Sequence, residues 1–413
     1  MNVSLVVLAA VYGLIAVRHV GILRLQIWQI MALGAAAVLL AGEIAPVDAV
    51  QAVNFDVMLF LFGMFVVGDA LEESGYLAHL SYKYFKRATT LDALVLMVLF
   101  GSGLLSAVLM NDTLAIVGVP VMLLLARRHD MSAKPLLLAL AFGVTIGSVF
   151  SPIGNPQNLL IAIEGEIRNP FLLFLRWLFL PSVLNLFIAF AFLRHFYRTD
   201  FHQVQLSHSQ EPIRDHELAM LSRISLQVII VLVGVKIVTA TLGAHDFLRL
   251  THIALAACLP ILLGSRRRLR ILRRIDWQTL AFFAAMFILM ESVWNSGFFQ
   301  GVFQEADIDL SHIGVLMSVS IVLSQFISNV PLVALVLPAL TKLAVGPELL
   351  LALAAGSTIA GNLSILGAAS NVIIIHNAER RSKETIPFLE FLRIGIPLTV
   401  LNGFVYWVFL RFL

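Results

Sequence analysis

A chain of 413 residues that is 60% hydrophobic and 13% charged, with mean hydropathy +0.93, carries more apolar surface than a water-soluble domain can bury. The formal charge of +3 is small, and the single cysteine, Cys258, excludes both a disulfide framework and a cysteine-built metal site. Apolar runs of about 18–22 residues recur, the length that a hydrocarbon core of about 30 Å demands, and the short alternating segments of a membrane β-barrel are missing. The composition predicts an all-α polytopic membrane protein.

The first apolar run, 3–17, has neither a basic start nor a small-residue cleavage pattern, so it reads as a retained span. Further runs fall at 26–45, 56–71, 91–126, 134–163, 170–193, 224–243, 250–264, 277–294, 311–345, 348–377 and 386–410. Two of them, 91–126 and 311–345, are too long for one crossing and too short for two with a loop. Each is polar at its middle, "MNDT" (Met110 to Thr113) and "SNVP" (Ser328 to Pro331). Lys83, Lys86 and Arg87 precede the first, and Arg127 and Arg128 follow it. The positive-inside rule puts both ends in the cytoplasm, so the segment reads as a re-entrant hairpin. The second is flanked by "EADID" (Glu305 to Asp309) and "GPE" (Gly346 to Glu348), and reads as a hairpin entering from outside. Arg266 to Arg274, Glu379 to Lys383 and the hydrophilic stretch 194–223 fall inside. The expectation is about ten transmembrane helices plus two re-entrant hairpins, with both termini outside. One half, 1–193, holds a repeat over about 26–193; a cytoplasmic linker covers 194–223; the other half, 224–413, holds a second repeat over about 250–410.

The repeat is legible directly. Residues 136–158, "LLLALAFGVTIGSVFSPIGNPQN", and 349–371, "LLLALAAGSTIAGNLSILGAASN", share 12 of 23 positions without a gap. The hairpins "LSAVLMNDTLAIVGVP" (105–120) and "LSQFISNVPLVALVLP" (323–338) share Leu, Ser, Asn, Leu and Pro at equal spacing, and "MFVVGDALEESGY" (64–76) aligns with "MFILMESVWNSGF" (286–298). Chance similarity among Leu- and Ala-rich helices explains "LLLALA" but not in-register Asn, Gly and Ser across three blocks. With opposite flanking charge, the two copies read as an inverted-topology repeat, whose binding site lies at the repeat interface near the midplane.

Four polar breaks result: Asn111, Asp112 and Thr113; Ser151 to Asn158; Ser328 and Asn329; Ser364 to Asn371. Breaking a helix in lipid frees backbone groups that cost several kcal/mol each unless paired, and the favourable use is to aim them at a ligand. Half-helix N-termini suit an anion, and C-terminal carbonyls suit a cation. Gly154 and Gly367 allow close backbone approach, and Pro156 removes an N–H. The candidate substrate and ion ligands are Asn111, Asp112, Thr113, Ser151, Gly154, Asn155, Asn158, Ser328, Asn329, Ser364, Gly367, Ser370 and Asn371. Na⁺ would sit near Asn111, Asn158, Asn329 and Asn371, whose amides donate and accept. Asp112 could carry a proton, hold Na⁺, or cap the following half-helix, and coupling is read ahead of capping. Asp69 and Glu291 are equivalent in the repeat and are candidate gate or coupling carboxylates; solvated helix ends explain them equally well. Lys236 reads as a snorkelling or paired cation, and His376 as a surface histidine with proton relay as the alternative. No G-x-x-x-x-G-K-[ST], H-E-x-x-H or G-x-S-x-G motif occurs, so no enzymatic class gains support. The basic patch 266–274 is an orientation signal, not a nucleic-acid site.

"LMNDTLAIVGVPV", "FSPIGNPQN", "LGAASNV", "LSQFISNVP" and "FDVMLFLFGMFVVGDALEESGY" resemble the ion transporter superfamily, in particular the branch with arsenite permeases of the ArsB type and NhaD-type Na⁺/H⁺ antiporters. "IGNPQN" is similar to a subgroup of small anion permeases. The dicarboxylate members carry Ser-Asn-Thr at both hairpin tips, and Asn111-Asp112-Thr113 and Ser328-Asn329-Val330 depart from it, which argues against a dicarboxylate. The resemblance implies an elevator mechanism, often dimeric, in the plasma (inner) membrane. The expectation is a secondary active transporter of a small anion or oxyanion coupled to H⁺ or Na⁺, without other cofactor, with the bilayer and a second copy as partners. In the arsenite branch a cytoplasmic ATPase can join, and no residue here points to one. The rival readings are a Na⁺/H⁺ antiporter and, from another class, a passive channel.

Overall fold

The computed structural model describes residues 3–17, 19–20, 23–24, 26–85, 88–129, 131–198, 213–241, 248–298, 301, 309–327, 329–343, 346–382 and 386–412. Among these, the one β-ladder is a two-residue antiparallel pair, His19–Val20 with Leu23–Arg24, and the architecture is otherwise helical. The first half contains α1 (Val3–Val17), α2 (Ile27–Leu40), α3 (Pro46–Ala52), α4 (Phe55–Glu73), α5 (Tyr76–Phe85), α6 (Leu91–Leu109), α7 (Asn111–Arg128), α8 (Lys134–Ser148), α9 (Pro156–Glu164) and α10 (Pro170–Phe196). The second contains α11 (His216–Thr241), α12 (Leu250–Gly264), α13 (Arg268–Arg274), α14 (Trp277–Asn295), α15 (Ile313–Ile327), α16 (Asn329–Lys342), α17 (Pro347–Leu363), α18 (Ala369–Ser382) and α19 (Phe388–Leu410).

Local chemistry explains many of the boundaries. Asn54, Thr90, Asn155, Asn169 and Asp276 each accept a backbone N–H of the first turn that follows, the satisfied end of α4, α6, α9, α10 and α14. Pro46, Pro156, Pro170 and Pro347 occupy first helical positions, where a missing N–H costs nothing. The stretch read as a linker, 194–223, is helical at both ends. Asp215 accepts the Leu218 N–H at 3.0 Å and starts α11 there, and the Arg214 and Asp215 N–H groups donate to the Ser74 carbonyl.

The expected spans divide unevenly. Among the described residues, α6, α10, α11, α14 and α19 are long and apolar enough to cross a bilayer alone, and α3 with α4 makes a sixth across a 51° bend. The shorter apolar helices are α2, α8, α12, α15 and α16. At 1.5 Å per residue the 15 residues of α8 rise about 22 Å, less than a full core, so α9 must complete the crossing.

The repeat is exact in register. Phe55 and Trp277 open helices of 19 residues, and Pro46 and Arg268 open helices of seven, both 222 positions apart. Asn111 and Asn329 open α7 and α16, 218 apart. Lys134 and Pro347 open α8 and α17, and Pro156 and Ala369 open α9 and α18, both 213 apart. Packing is reciprocal: α2 lies on α14 as α12 lies on α4, α7 lies on α18 as α16 lies on α9, and α6 on α8 repeats as α15 on α17. Equivalent helices also pack on each other, α8 on α17 and α10 on α19.

Two bodies follow from these contacts. One gathers α1 to α4 and α11 to α14; the other gathers α6 to α10 and α15 to α19. They meet where α4 touches α7 and α9 and where α14 touches α16, and Asn54 of the first body donates to Glu164 of the second at 2.9 Å. Close packing within a bilayer needs small residues. Gly147 lies so close to the backbone of Gly103 that any side chain there would overlap it, which lets α8 press against α6.

Candidate substrate and ion site

The first hairpin turns on one residue. Met110 is 1% exposed and sits at φ 69°, a left-handed conformation that costs a residue with a β-carbon about 1–2 kcal/mol. The strain is held by the next residue: the Asn111 N–H donates to the Gly154 carbonyl at 2.9 Å. The Ser151 hydroxyl donates to the Ala107 carbonyl at 2.5 Å, near the end of α6. These two bonds staple the hairpin tip to the break between α8 and α9. Asn111 and Thr113 are buried. Asp112 between them is half-buried, and its carboxylate has no hydrogen-bond or ion-pair partner among the described residues. Asn111 Oδ1 accepts the Asp112 N–H at 2.9 Å.

Inside the first break the side chains serve the break itself. The Asn158 amide donates to the carbonyls of Ser148, Val149 and Ser151 at 3.0–3.2 Å, so it covers the exposed C-terminal end of α8. Asn155 Oδ1 accepts the Asn158 N–H at 2.8 Å and caps α9, while its amide N–H groups donate to Ser148 Oγ and Thr358 Oγ1. Gln157 also donates to Thr358 Oγ1, at 3.3 Å, and the Thr358 hydroxyl donates to Asn158 Oδ1. Thr358 of α17 therefore gathers three amides of the opposite repeat in a region where every member is at most 2% exposed.

The second break repeats this frame with different filling. Asn371 Nδ2 donates to the carbonyls of Gly361 and Ser364, the counterparts of Ser148 and Ser151. Ser364 Oγ donates to Gln325 Oε1 at 2.8 Å, and the Gln325 amide donates to the carbonyls of Ile321 and Ala360; a side-chain amide thus replaces the Ala107 carbonyl of the first repeat. Gly367 packs against it, since a β-carbon there would lie 2.5 Å from the Ala360 oxygen. Among the described residues, the buried oxygens without a partner here include Ser324 Oγ and Asn329 Oδ1 in the second hairpin, Thr145 Oγ1, Asn362 Oδ1, Ser370 Oγ and Asn371 Oδ1. Ser328 lies outside the described residues, as does the His376 side chain.

Among the described residues, the partners of the two repeat-equivalent acids lie outside the breaks. Asp69 pairs with Arg274 at 3.4 Å, within a network in which Arg267, Arg270 and Arg274 hold Glu73 and Arg267 also holds Asp215. That network fastens α13 to the end of α4. Glu291 accepts from Asn295 one turn along α14. Lys236 donates to the backbone carbonyl of Leu248 at 2.6 Å. Sequence reasoning passed over Thr145, Thr358 and Gln325. The two threonines fall at the same position of the ungapped repeat, "GVTIG" against "GSTIA", and that coincidence is the signal that marks them. No group of three or more metal-ligating His, Cys, Asp or Glu occurs among the described residues.

The sequence model of the citrate transporter family (CitMHS) matches residues 12–348. An uncharacterized transporter of Mycobacterium tuberculosis is 28% identical, covering 97% of this chain and 96% of its own length. The 46 kDa membrane protein of Mycobacterium leprae is 28% identical over 85% of this chain and 84% of its own. The P protein of Homo sapiens is 25% identical over 97% of this chain, which spans 58% of that longer protein. Among solved structures, the Alcanivorax borkumensis YdaH transporter, described as having an unusual topology, superposes with TM-score 0.57 at 14% identity, covering 99% of this chain and 98% of that one, a likeness of fold. A multi-pass helical chain with two broken helices, matched over most of its length, is a membrane transporter that belongs to the citrate transporter family.

Proposed function

We propose that the protein is a secondary active transporter of a small anion or oxyanion, arsenite-type or another inorganic or organic anion, coupled to H⁺ or Na⁺. The observation that carries this reading is the pair of broken helices, each facing a hairpin with a polar tip, in a chain of a transporter family. The family's name adds citrate to the anions worth testing. The division into two bodies supports an elevator, in which α6 to α10 and α15 to α19 slide against α1 to α4 and α11 to α14, and a homodimer would brace the fixed body. The charge contrast between α3, which carries Asp48 and no base, and its equivalent α13, "RLRILRR", supports opposite orientations of the two repeats in an inner membrane. The unpaired carboxylate of Asp112 makes it the coupling acid of this reading.

Uptake into proteoliposomes under an imposed pH or Na⁺ gradient tests it, with arsenite, citrate and other anions in turn. Asp112→Asn is expected to lower gradient-driven uptake at least tenfold while leaving exchange of the same anion measurable. Normal, gradient-dependent uptake by Asp112→Asn rejects the coupling role. The free acid also favours a second reading, a Na⁺/H⁺ antiporter in which no anion moves; dye-quench antiport without any anion present separates the two.

A further inference from the structure

The Asn54 amide of the first body donates to Glu164 Oε1 of the second at 2.9 Å. Asn54 is also the cap of α4: its Oδ1 accepts the Val57 N–H, which orients the side chain and leaves Nδ2 to reach the end of α9. The registers of the repeat, 222 positions for α4 on α14 and 213 for α9 on α18, carry Asn54 to Asp276 and Glu164 to Asn377. The chemistry is exchanged on the way. In the first repeat the first body holds the amide and the second the carboxylate; in the second repeat the first body holds the carboxylate and the second the amide. Asp276 caps α14 as Asn54 caps α4, with Oδ1 accepting the Thr279 N–H, and its Oδ2 accepts the Thr279 hydroxyl. The Asn377 side chain has no hydrogen bond among the described residues, and Asp276 and Asn377 are both half-buried. Packing divides the same way. α4 lies on α9, whereas among the described residues no comparable packing joins α14 to α18. A repeat that is exact in sequence register therefore meets unequal contact between the bodies.

Helix capping accounts for Asn54 and Asp276 one at a time. It does not account for an acid and an amide that change sides together. That exchange keeps one carboxylate and one amide in each pair, which allows a charge-assisted bond in both; two acids would repel, and two amides would give only the weaker neutral bond. The end of α4 lies among the arginines of α13, and Asp276 directly follows them, so by the charge reading Asp276 is cytoplasmic and Asn54, at the start of α4, is outer. Resting on the transporter reading and its two bodies, we propose that Asn54 with Glu164 and Asp276 with Asn377 are two mutually exclusive latches, one near each membrane face, the outer closed and the inner open in this structure. Sliding of the second body exchanges them. All four are positioning residues. With one latch closed at either end of the movement, neither end is favoured by this contact, and the bias is left to the ligand.

The test uses the full chain with Cys258→Ala in proteoliposomes. Asn54→Cys with Glu164→Cys reports the outer latch, and Asp276→Cys with Asn377→Cys the inner one. Each pair is bridged with dibromobimane, a short reagent that joins two thiols; intact mass counts the links and peptide mapping assigns them. The chain carrying both pairs is expected to take one link per molecule, at either pair. Each reporter pair deletes its own latch, so the opposite state dominates in it and linking is slow. Asn54→Asp keeps a cap on α4, sets two acids face to face, and is expected to speed linking of the inner pair at least about fivefold. Adding Glu164→Asn, which installs the second repeat's own combination, is expected to restore the slow rate. Asn377→Asp is expected to speed linking of the outer pair to a similar extent. The two arms sacrifice different caps, so a chain that fails to fold in one leaves the other to decide. Two links in one folded molecule overturn the inference. So does an inner pair that never links, or a linking rate that neither acid changes. Anion uptake by the same liposomes keeps the two levels apart. Uptake that persists through either link overturns the latches and leaves the transporter reading, whereas exclusive links in a chain that moves no anion keep the latches and reject that reading.

Discussion

In the first break every side-chain amide is used within the protein; in the second, the same backbone frame encloses oxygens with nothing to bond. The frames themselves are matched down to the carbonyls, since Asn158 covers Ser148 and Ser151 as Asn371 covers Gly361 and Ser364. What differs is the filling. Symmetry in such a molecule therefore fixes where a helix may stop, and the residues placed in the gap decide whether the stop is a rigid joint or an open one. The staples agree with this division: Asn111 and Ser151 tie the first break to its hairpin through backbone carbonyls, whereas the second is tied by the flexible amide of Gln325.

Substitutions at matched positions test the division, beginning with the most severe. A β-carbon on Gly154 would collide first with backbone atoms of Ser148, while one on Gly367 would meet the Ala360 oxygen and the movable Gln325 amide. Gly154→Ala is expected to cost about 3 kcal/mol and Gly367→Ala about half of that, read as the loss of folded, monodisperse protein on heating in detergent. Equal losses would break the rigid-against-open contrast. Next, Asn158→Ala uncovers three buried carbonyls and Asn371→Ala two; losses of about 2–3 and about 1–2 kcal/mol are expected by the same measurement. The reverse order would mean that the second frame is the more rigid. The smallest effect carries the clearest sign. Thr358→Val strands three amide partners and is expected to destabilise by about 1–2 kcal/mol. Thr145→Val removes a hydroxyl that bonds to nothing and is expected to leave Tm unchanged or raise it slightly. Identical responses at the two threonines would contradict the comparison outright.

Much of the fold was legible because its signals are local. Polar residues inside apolar runs mark the stops at Met110 and at Ser151 to Asn155, and the ungapped repeat sets α8, α9, α17 and α18 in register. The limits of individual spans were less legible. The run 26–45 reads as one crossing, but its helix α2 ends at Leu40 and Gly42, at φ 75°, turns the chain ahead of α3. The site was legible in its residue types and not in their duties. Asn155 and Asn158 read as ion ligands, and the backbone groups gathered around them show Asn155 capping α9 and Asn158 covering the end of α8. Those carbonyls, like Arg274, which claims Asp69 from some two hundred residues away, belong to pairings that no local pattern announces. Gln325 was invisible for a further reason: its counterpart is Ala107, so the repeat gives it no partner to be recognised by.

The reciprocal packing of α2 on α14 and α12 on α4 has a consequence for how the chain comes to be folded. Neither half owns all the neighbours its helices need, so the first to be made must wait in the membrane with open flanks until the second arrives. Its helices are bound to one another at first by loops and afterwards by their descendants in the duplicate. A lesion in α14 is then felt first in α2, more than two hundred residues upstream, and the two halves behave as interlocked hands rather than as two domains in sequence.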